Sequence, residues 1–304
     1  MASWSAEQTV STSLAIQLIE EQFPTLAPVH LELCGEGWDN YAFRVNEQFI
    51  FRFPRREIAV ELIETEYRLL PRLASRVTLP VPVPQYLGHA TAQYPWPFSG
   101  YRMLSGKTAC SVGFTDEQRC SLAKPLAEFL SSLHAISASV ASAWSAPIDK
   151  IGRLDFSRRL PVARGNLEKI RGLRLPVDTR RLMEILEKTD ISYIPKQIAL
   201  VHGDFYARHF LVTGAGNLSG VIDWGDIHLG DPAVDIAIAH SFLPPAAHET
   251  FRTVYGAISE ETWQTAHFRA LYHSVYLVLY SHEVQDSNLL RESLQSLQFI
   301  AFPG

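Results

Sequence analysis

The apolar pattern of this chain passes from mostly strand-like to mostly helical near residues 104–106, and a chain built that way is expected to fold as two unlike parts. Before the change, 31–34, 41–45 and 49–53 are short, aromatic and β-branched stretches. Gly35, Gly37 and Asn46 stand at their breaks, so they read as an antiparallel meander. Residues 86–89 and 101–104 read as two further strands around the loop Tyr94-Pro95-Trp96-Pro97-Phe98. A short helix is expected over 11–23, stopped by Pro24. A longer one is expected over 58–73, carrying Leu62, Ile63, Tyr67, Leu70 and Leu73 on a helical period, with Pro71 bending or ending it near its last turn.

Beyond residue 106 the pattern is helical. Thr115 and Gln118 form a capping box ahead of the stripe Leu122, Leu126, Phe129, Leu130 and Leu133, which Pro125 should kink. Two short strands, 210–213 and 218–222, are joined by a glycine-rich turn. Asp231-Pro232 opens a helix through Phe242, and helical patterns at 263–282 and 288–299 follow. The fold class expected is α+β and bilobal: an antiparallel β-sheet lobe with one main helix, residues 1–104, and a mostly helical lobe, residues 105–304.

A hydrophobic fraction of 47% in 304 residues allows a large core, and a net charge of −5 argues against general nucleic-acid binding. The charge is unevenly spread. Residues 202–304 hold 11 acidic and 4 basic side chains, whereas residues 150–196 hold 6 and 12. Such runs usually just solvate a surface, and the basic stretch from Arg153 to Lys196 reads as an exposed helical face. Cys34, Cys110 and Cys120 are too few and too irregular for a disulfide framework or a zinc site. No basic segment leads into an apolar run at the start, and the apolar stretch 276–280 is far short of a membrane span. The expectation is a cytoplasmic monomer with no membrane or nucleic-acid partner.

The chemistry concentrates in His202-Gly203-Asp204-Phe205-Tyr206-Ala207-Arg208-His209 and in Val221-Ile222-Asp223-Trp224. Phosphoryl transfer needs a carboxylate beside an incoming hydroxyl, and ligands opposite it that hold magnesium on nucleotide phosphates. A short loop followed by a hairpin can supply both. These stretches resemble the catalytic loop and metal-binding strand end of the aminoglycoside phosphotransferase family, which shares the protein-kinase fold. The resemblance implies that Asp204 is the catalytic base and that Asp223 and His209 are magnesium ligands. Most kinases carry asparagine where this chain has His209. Histidine there is shared with aminoglycoside 2''-phosphotransferases and macrolide phosphotransferases, which narrows the resemblance to those groups.

Four further matches extend the resemblance, which runs in order from Leu33 to Asp235. Gly35-Glu36-Gly37-Trp38 resembles the nucleotide-covering loop, although an ordinary tight turn gives the same pattern. The strand 49–54 resembles the one that carries the phosphate-binding cation, with Arg52 in place of the usual lysine. Glu66 stands where the helix glutamate that holds this cation is expected. Glu61 and Glu64 are rivals, because one sequence does not fix the helix phase. Met103 and Leu104 resemble the hinge whose backbone binds the nucleobase, a pattern that a plain strand also gives.

His202 is implied as a structural hydrogen-bonding group and Asp235 as a brace for the loops. Asp226 and His228 are expected to line the cleft, Asp226 being the candidate substrate residue. His134 reads as a satisfied core histidine, and Trp263, His267, Tyr272 and Tyr276 as core packing ahead of substrate contact. The function implied is a small-molecule kinase that moves the γ-phosphate of ATP or GTP, with Mg2+, to a hydroxyl of an aminoglycoside-type antibiotic. A cationic acceptor would suit the acidic excess after His202. A macrolide, a metabolite, or a nucleotide-binding pseudokinase without turnover are the alternatives.

Overall fold

Alternation along the strand at 49–54 puts Phe49, Phe51 and Phe53 on one face and Ile50 and Arg52 on the other, and this split organises the first part of the chain. The computed structural model describes residues 6–37, 39–189, 192–193 and 197–302. The chain divides into two compact units, one of Met1–Arg76, Pro80–Leu104 and Ile222–Asp226, the other of Val77–Leu79, Ser105–Val221 and Ile227–Gly304.

The first unit contains α1 (Thr12–Gln22), β1 (Leu31–Glu36), β2 (Asn40–Val45), β3 (Phe49–Pro54), α2 (Ile58–Leu73), β4 (Pro84–Gly88) and β5 (Phe98–Arg102). Its sheet runs β1-β2-β3-β5-β4 with every neighbour antiparallel. The aromatic face of β3 carries the core. Phe53 stacks on Phe98 at 4.4 Å, and Phe51 lies 5.5 Å from Tyr86 and 5.9 Å from Phe23 at the end of α1. The last strand therefore starts at Phe98, three residues earlier than its sequence pattern suggests, because Phe98 is the ring that faces the core. Gly100 is required there, since a Cβ at that position would sit 2.5 Å from the Phe51 ring.

The buried stripe of α2 is Ala59, Ile63, Glu66, Leu69, Leu70 and Leu73. Tyr67, expected on that stripe, is 42% exposed. The helix continues past Pro71 to Leu73, as a proline close to a helix end permits when the chain stops soon after it.

The second unit contains β6 (Lys107–Thr108), α3 (Asp116–His134), α4 (Ala138–Ala143), α5 (Phe156–Leu173), α6 (Thr179–Glu187), β7 (Ala199–Val201), β8 (Phe210–Val212), β9 (Leu218–Val221), β10 (His228–Gly230), α7 (Ala233–Ser241), α8 (His248–Tyr255), α9 (Glu260–Glu283) and α10 (Ser287–Ala301). The expected hairpin is β8–β9, joined on its other edge by β6, while β7 pairs antiparallel with β10. Strands of three residues such as β7 and β10 carry too little alternation to be read from sequence. Leu167, Ile170, Leu182, Leu271, Val275 and Ile300 belong to one buried core that joins α5, α6, α9 and α10. The capping box at Thr115 is formed on both sides. Further along α3, buried Arg119 pairs with Glu292 of α10 through Nη1–Oε1 at 2.6 Å and Nη2–Oε2 at 2.8 Å. Among the described residues no helix is long and apolar enough to cross a membrane.

Candidate active site

In the second unit, the loop after β7 is held from three sides. Gly203 adopts φ +88°, a backbone conformation that glycine enters without steric cost. The Asp235 carboxylate, buried on α7, accepts the His202 amide at 2.7 Å and the Gly203 amide at 2.9 Å. His134 contacts the same carboxylate at 3.1 Å through Nε2, and its Nδ1 meets the Tyr255 hydroxyl at 2.8 Å. Burial pushes the Asp235 carboxyl up, but its bonds to His134 and the loop amides prevail and hold it below the usual carboxylate range. Arg153 closes the brace by donating Nε to the Gly203 carbonyl at 3.0 Å. The exposed face expected of the basic stretch does not include Arg153, which is buried, at 7% exposure.

This brace presents Asp204, whose side chain is 26% exposed. His273 Nε2 lies 3.2 Å from its Oδ1, Arg269 Nη2 lies 4.0 Å from the same oxygen, and His209 Nδ1 lies 3.5 Å from Oδ2. Burial raises the Asp204 carboxyl, and the contacts with His273, His209 and Arg269 more than reverse this, holding it far below the usual carboxylate range. It is ionised at neutral pH. His273 and Arg269 were not anticipated. They sit four residues apart on α9, so they share one helix face, and that spacing was the available signal. Tyr276 lies on the same side, where burial, its tyrosine neighbours and Asp204 push its phenol up to about 12.

In the first unit, Arg52 Nη1 donates to both Glu66 oxygens at 2.8 Å, while Nη2 lies 3.9 Å from Asp223 Oδ1. Glu66 belongs to the buried stripe of α2, whereas Glu61 and Glu64 lie on its exposed face, so the helix phase selects Glu66. Burial opposes the charge on Arg52, but Glu66 and Asp223 outweigh it and keep the guanidinium above its ordinary value. Asp223 has φ +61°, unusual for a residue with a Cβ, and its side chain is 52% exposed. Strained, exposed carboxylates of this kind cluster at functional sites.

The other anticipated residues are less uniform. Gly35 lies within β1, and the tip of the β1–β2 hairpin begins at Gly37, whose amide is donated to the Asn40 carbonyl at 2.9 Å. Trp38 lies outside the described residues. Met103 gives its amide to the Gln48 carbonyl at 2.8 Å, so only its carbonyl and the groups of Leu104 stay available at that point. Asp226 is half-buried and lies in electrostatic reach of Glu66. His228 is in β10. Trp263 packs on His240 and His248, and His267 on His240. Tyr272 instead bonds Arg159 at 2.9 Å.

Magnesium favours one or two carboxylates, phosphate oxygens and water over an all-protein cage. Among the described residues no group of three or more His, Cys, Asp or Glu side chains is placed to hold a metal ion. Asp223 is an exposed oxygen donor suited to such an ion. His209 Nδ1 lies 2.8 Å from the Asp204 carbonyl, an oxygen that only accepts, so Nδ1 carries a proton.

An antiparallel sheet backed by an Arg–Glu ion pair, and a helical unit that braces a carboxylate loop, define the kinase-like class of phosphotransferases. Residues 30–269 match the model of the Phosphotransferase enzyme family (APH), and the chain belongs to that family. It is similar to aminoglycoside 2'-phosphotransferase-IIIa, solved as a GDP complex, with 24% identity, a TM-score of 0.70 and coverage of 96% of this chain and 99% of that one. Macrolide 2'-phosphotransferase type I shares the fold at 22% identity and a TM-score of 0.61, covering 95% and 98%. The Bacillus subtilis (strain 168) protein YcbJ is 27% identical over 202 residues, a match that spans 62% of this chain and 61% of that relative.

Proposed function

We propose that this protein transfers the terminal phosphoryl group of ATP or GTP to a hydroxyl of a small molecule, with Asp204 as the base. The observation that carries the reading is the ionised, braced and partly exposed Asp204 carboxylate. In the reaction the bond from the γ-phosphorus to the nucleotide's bridging oxygen breaks and a bond to the acceptor oxygen forms. The hydroxyl proton passes to Asp204 and then to solvent, leaving a nucleoside diphosphate and a phosphate monoester.

The remaining residues take the roles that the family resemblance implies. Arg52, steadied by Glu66, would hold phosphate oxygens, and the backbone at Met103 and Leu104 would meet the nucleobase. Gly35 and Gly37 would lie over the phosphates. Asp223 and His209 would ligate magnesium, which when bound neutralises charge on the transferred group. His202 and Asp235 position the loop.

Aminoglycoside and macrolide antibiotics are the acceptors suggested by the similar solved structures. A panel of both, offered with ATP and GTP separately and read by diphosphate release, tests the reaction. Asp204→Asn should cut turnover by about 10²–10⁴-fold, the usual worth of a general base. A variant that turns over like the wild type would remove Asp204 from its role. Nucleotide binding with no turnover on any hydroxyl would favour the pseudokinase reading.

A further inference from the structure

Asp204 sits on a loop, yet a base has to present its lone pair to an incoming hydroxyl within a fraction of an ångström, so the rotation of its side chain must be fixed. Its two oxygens keep different company. Oδ2 faces its own loop, with His209 Nδ1 at 3.5 Å, but that nitrogen donates to the Asp204 backbone carbonyl 2.8 Å away. Oδ1 faces α9, where His273 Nε2 lies at 3.2 Å and Arg269 Nη2 at 4.0 Å, beyond hydrogen-bond reach. Among the described residues His273 is the nearest side-chain donor to the carboxylate.

The imidazole is itself anchored. It belongs to a 24-residue helix whose Leu271, Val275 and Val278 are buried in the core shared with α5 and α10. The Tyr206 ring meets it edge-on at 5.0 Å and 87°, and meets the His209 ring at 4.4 Å, so one aromatic ring of the loop steadies both imidazoles that approach Asp204. Burial, and then the charge of Arg269, pull the His273 ring below the usual histidine value against the attraction of Asp204, which leaves it uncharged at neutral pH. A carboxylate only accepts, so the nitrogen facing it, Nε2, carries the proton of the neutral ring.

We propose that His273 is a positioning residue for phosphoryl transfer: its Nε2–H holds Oδ1 of Asp204 and so fixes the carboxylate that receives the acceptor hydroxyl. The proposal rests on the reading of Asp204 as the base. A neutral donor fixes the carboxylate without pairing off its charge, as a lysine or arginine in contact would. Phosphoryl transfer asks more of orientation and charge stabilisation than of basicity, so a hydrogen bond that makes Asp204 less basic still favours the reaction. His273 keeps its proton throughout, and the hydroxyl proton goes to Asp204.

Two replacements separate the donor from the packing. His273→Gln keeps an N–H donor and removes the ring, whereas His273→Phe keeps a ring and removes the donor. Turnover of ATP and of GTP is read by release of nucleoside diphosphate with kanamycin, with erythromycin and with water alone as the acceptor, and Asp204→Asn sets the background. His273→Phe should lower kcat by about tenfold to a hundredfold, the usual worth of a hydrogen bond to a charged group, while KM and MgADP affinity stay within about threefold of the wild type. His273→Gln should recover part of that loss. Should either variant fail to fold, nitrogen-15 NMR of the wild type reads the same contact: Nε2 of His273 should be protonated, and its signal should move in Asp204→Asn.

Wild-type turnover in His273→Phe, a glutamine variant no better than the phenylalanine one, a loss that falls on KM, or a His273 Nε2 without a proton would each overturn the inference and leave Asp204 standing as the base. Wild-type turnover no higher than that of Asp204→Asn with every acceptor would remove that reading and this inference with it.

Discussion

At the scale of single residues, the account turns on which side chains meet a carboxylate. Asp235 accepts two consecutive loop amides while touching His134, so removing its charge should loosen the loop that carries Asp204. Asp235→Asn is expected to cost about 1–3 kcal/mol of stability, measured by urea unfolding, because buried donors lose a charged acceptor. The Asp235 carboxyl is depressed in the folded protein, so its contribution is fully present above about pH 4, the ordinary aspartate value, and disappears as pH falls further. In the variant the acid limb of the stability curve should be correspondingly flatter.

The loop from His202 to His209 stands out in the sequence by its residue types and spacing, and Asp235 and Arg153 hold its backbone in the fold. The partners of Asp204 do not stand out. Arg269 and His273 lie more than sixty residues later, on a helix whose other residues read as core. Helix phase likewise hid the choice among Glu61, Glu64 and Glu66 until burial singled out Glu66.

At the scale of elements, α3 and α10 are tied through Arg119 and Glu292, both about 5% exposed or less. The Arg119 guanidinium also lies 4.5 Å from the Phe242 ring centroid and donates to the Phe242 carbonyl at 3.1 Å. Glu292→Gln should destabilise the protein by about 3–5 kcal/mol in chemical denaturation, since it strands a buried guanidinium. The double replacement Arg119→Met with Glu292→Leu should cost far less, because an apolar pair of similar volume leaves no buried charge. Such long-range pairing has no local signature, whereas the capping box at Thr115 and the hairpin β8–β9 do. The displaced start of β5 has the same cause as the missed β7 and β10: tertiary contact chose the boundary, through the Phe98 ring in one case and through pairing partners in the other.

At the scale of the whole molecule, stability should depend on pH through His240, His248 and His267. The His248 and His267 rings lie 5.2 and 4.9 Å from His240, and His240 and His248 pack with Trp263. Burial pulls all three below the usual histidine value, and for His240 the neighbouring histidines add to it. The unfolded chain therefore binds protons that the folded protein refuses, so stability should fall as pH drops below about 6.5. Thermal melts from pH 8 to 5 should show this decline, and His240→Asn should reduce its slope.

The α+β class and the family resemblance were readable from the sequence because pattern and motif carry them. The company Asp204 keeps was not, since Arg269 and His273 of α9 reach it only on folding. The central claim is that Asp204 receives the acceptor hydroxyl during phosphoryl transfer. It is tested most directly by magnesium-dependent phosphorylation of a hydroxylated acceptor in the wild type and in Asp204→Asn, with MgADP affinity measured in both. The account predicts that the variant binds MgADP like the wild type and loses at least about a hundredfold in turnover. Equal turnover in the two proteins would contradict it.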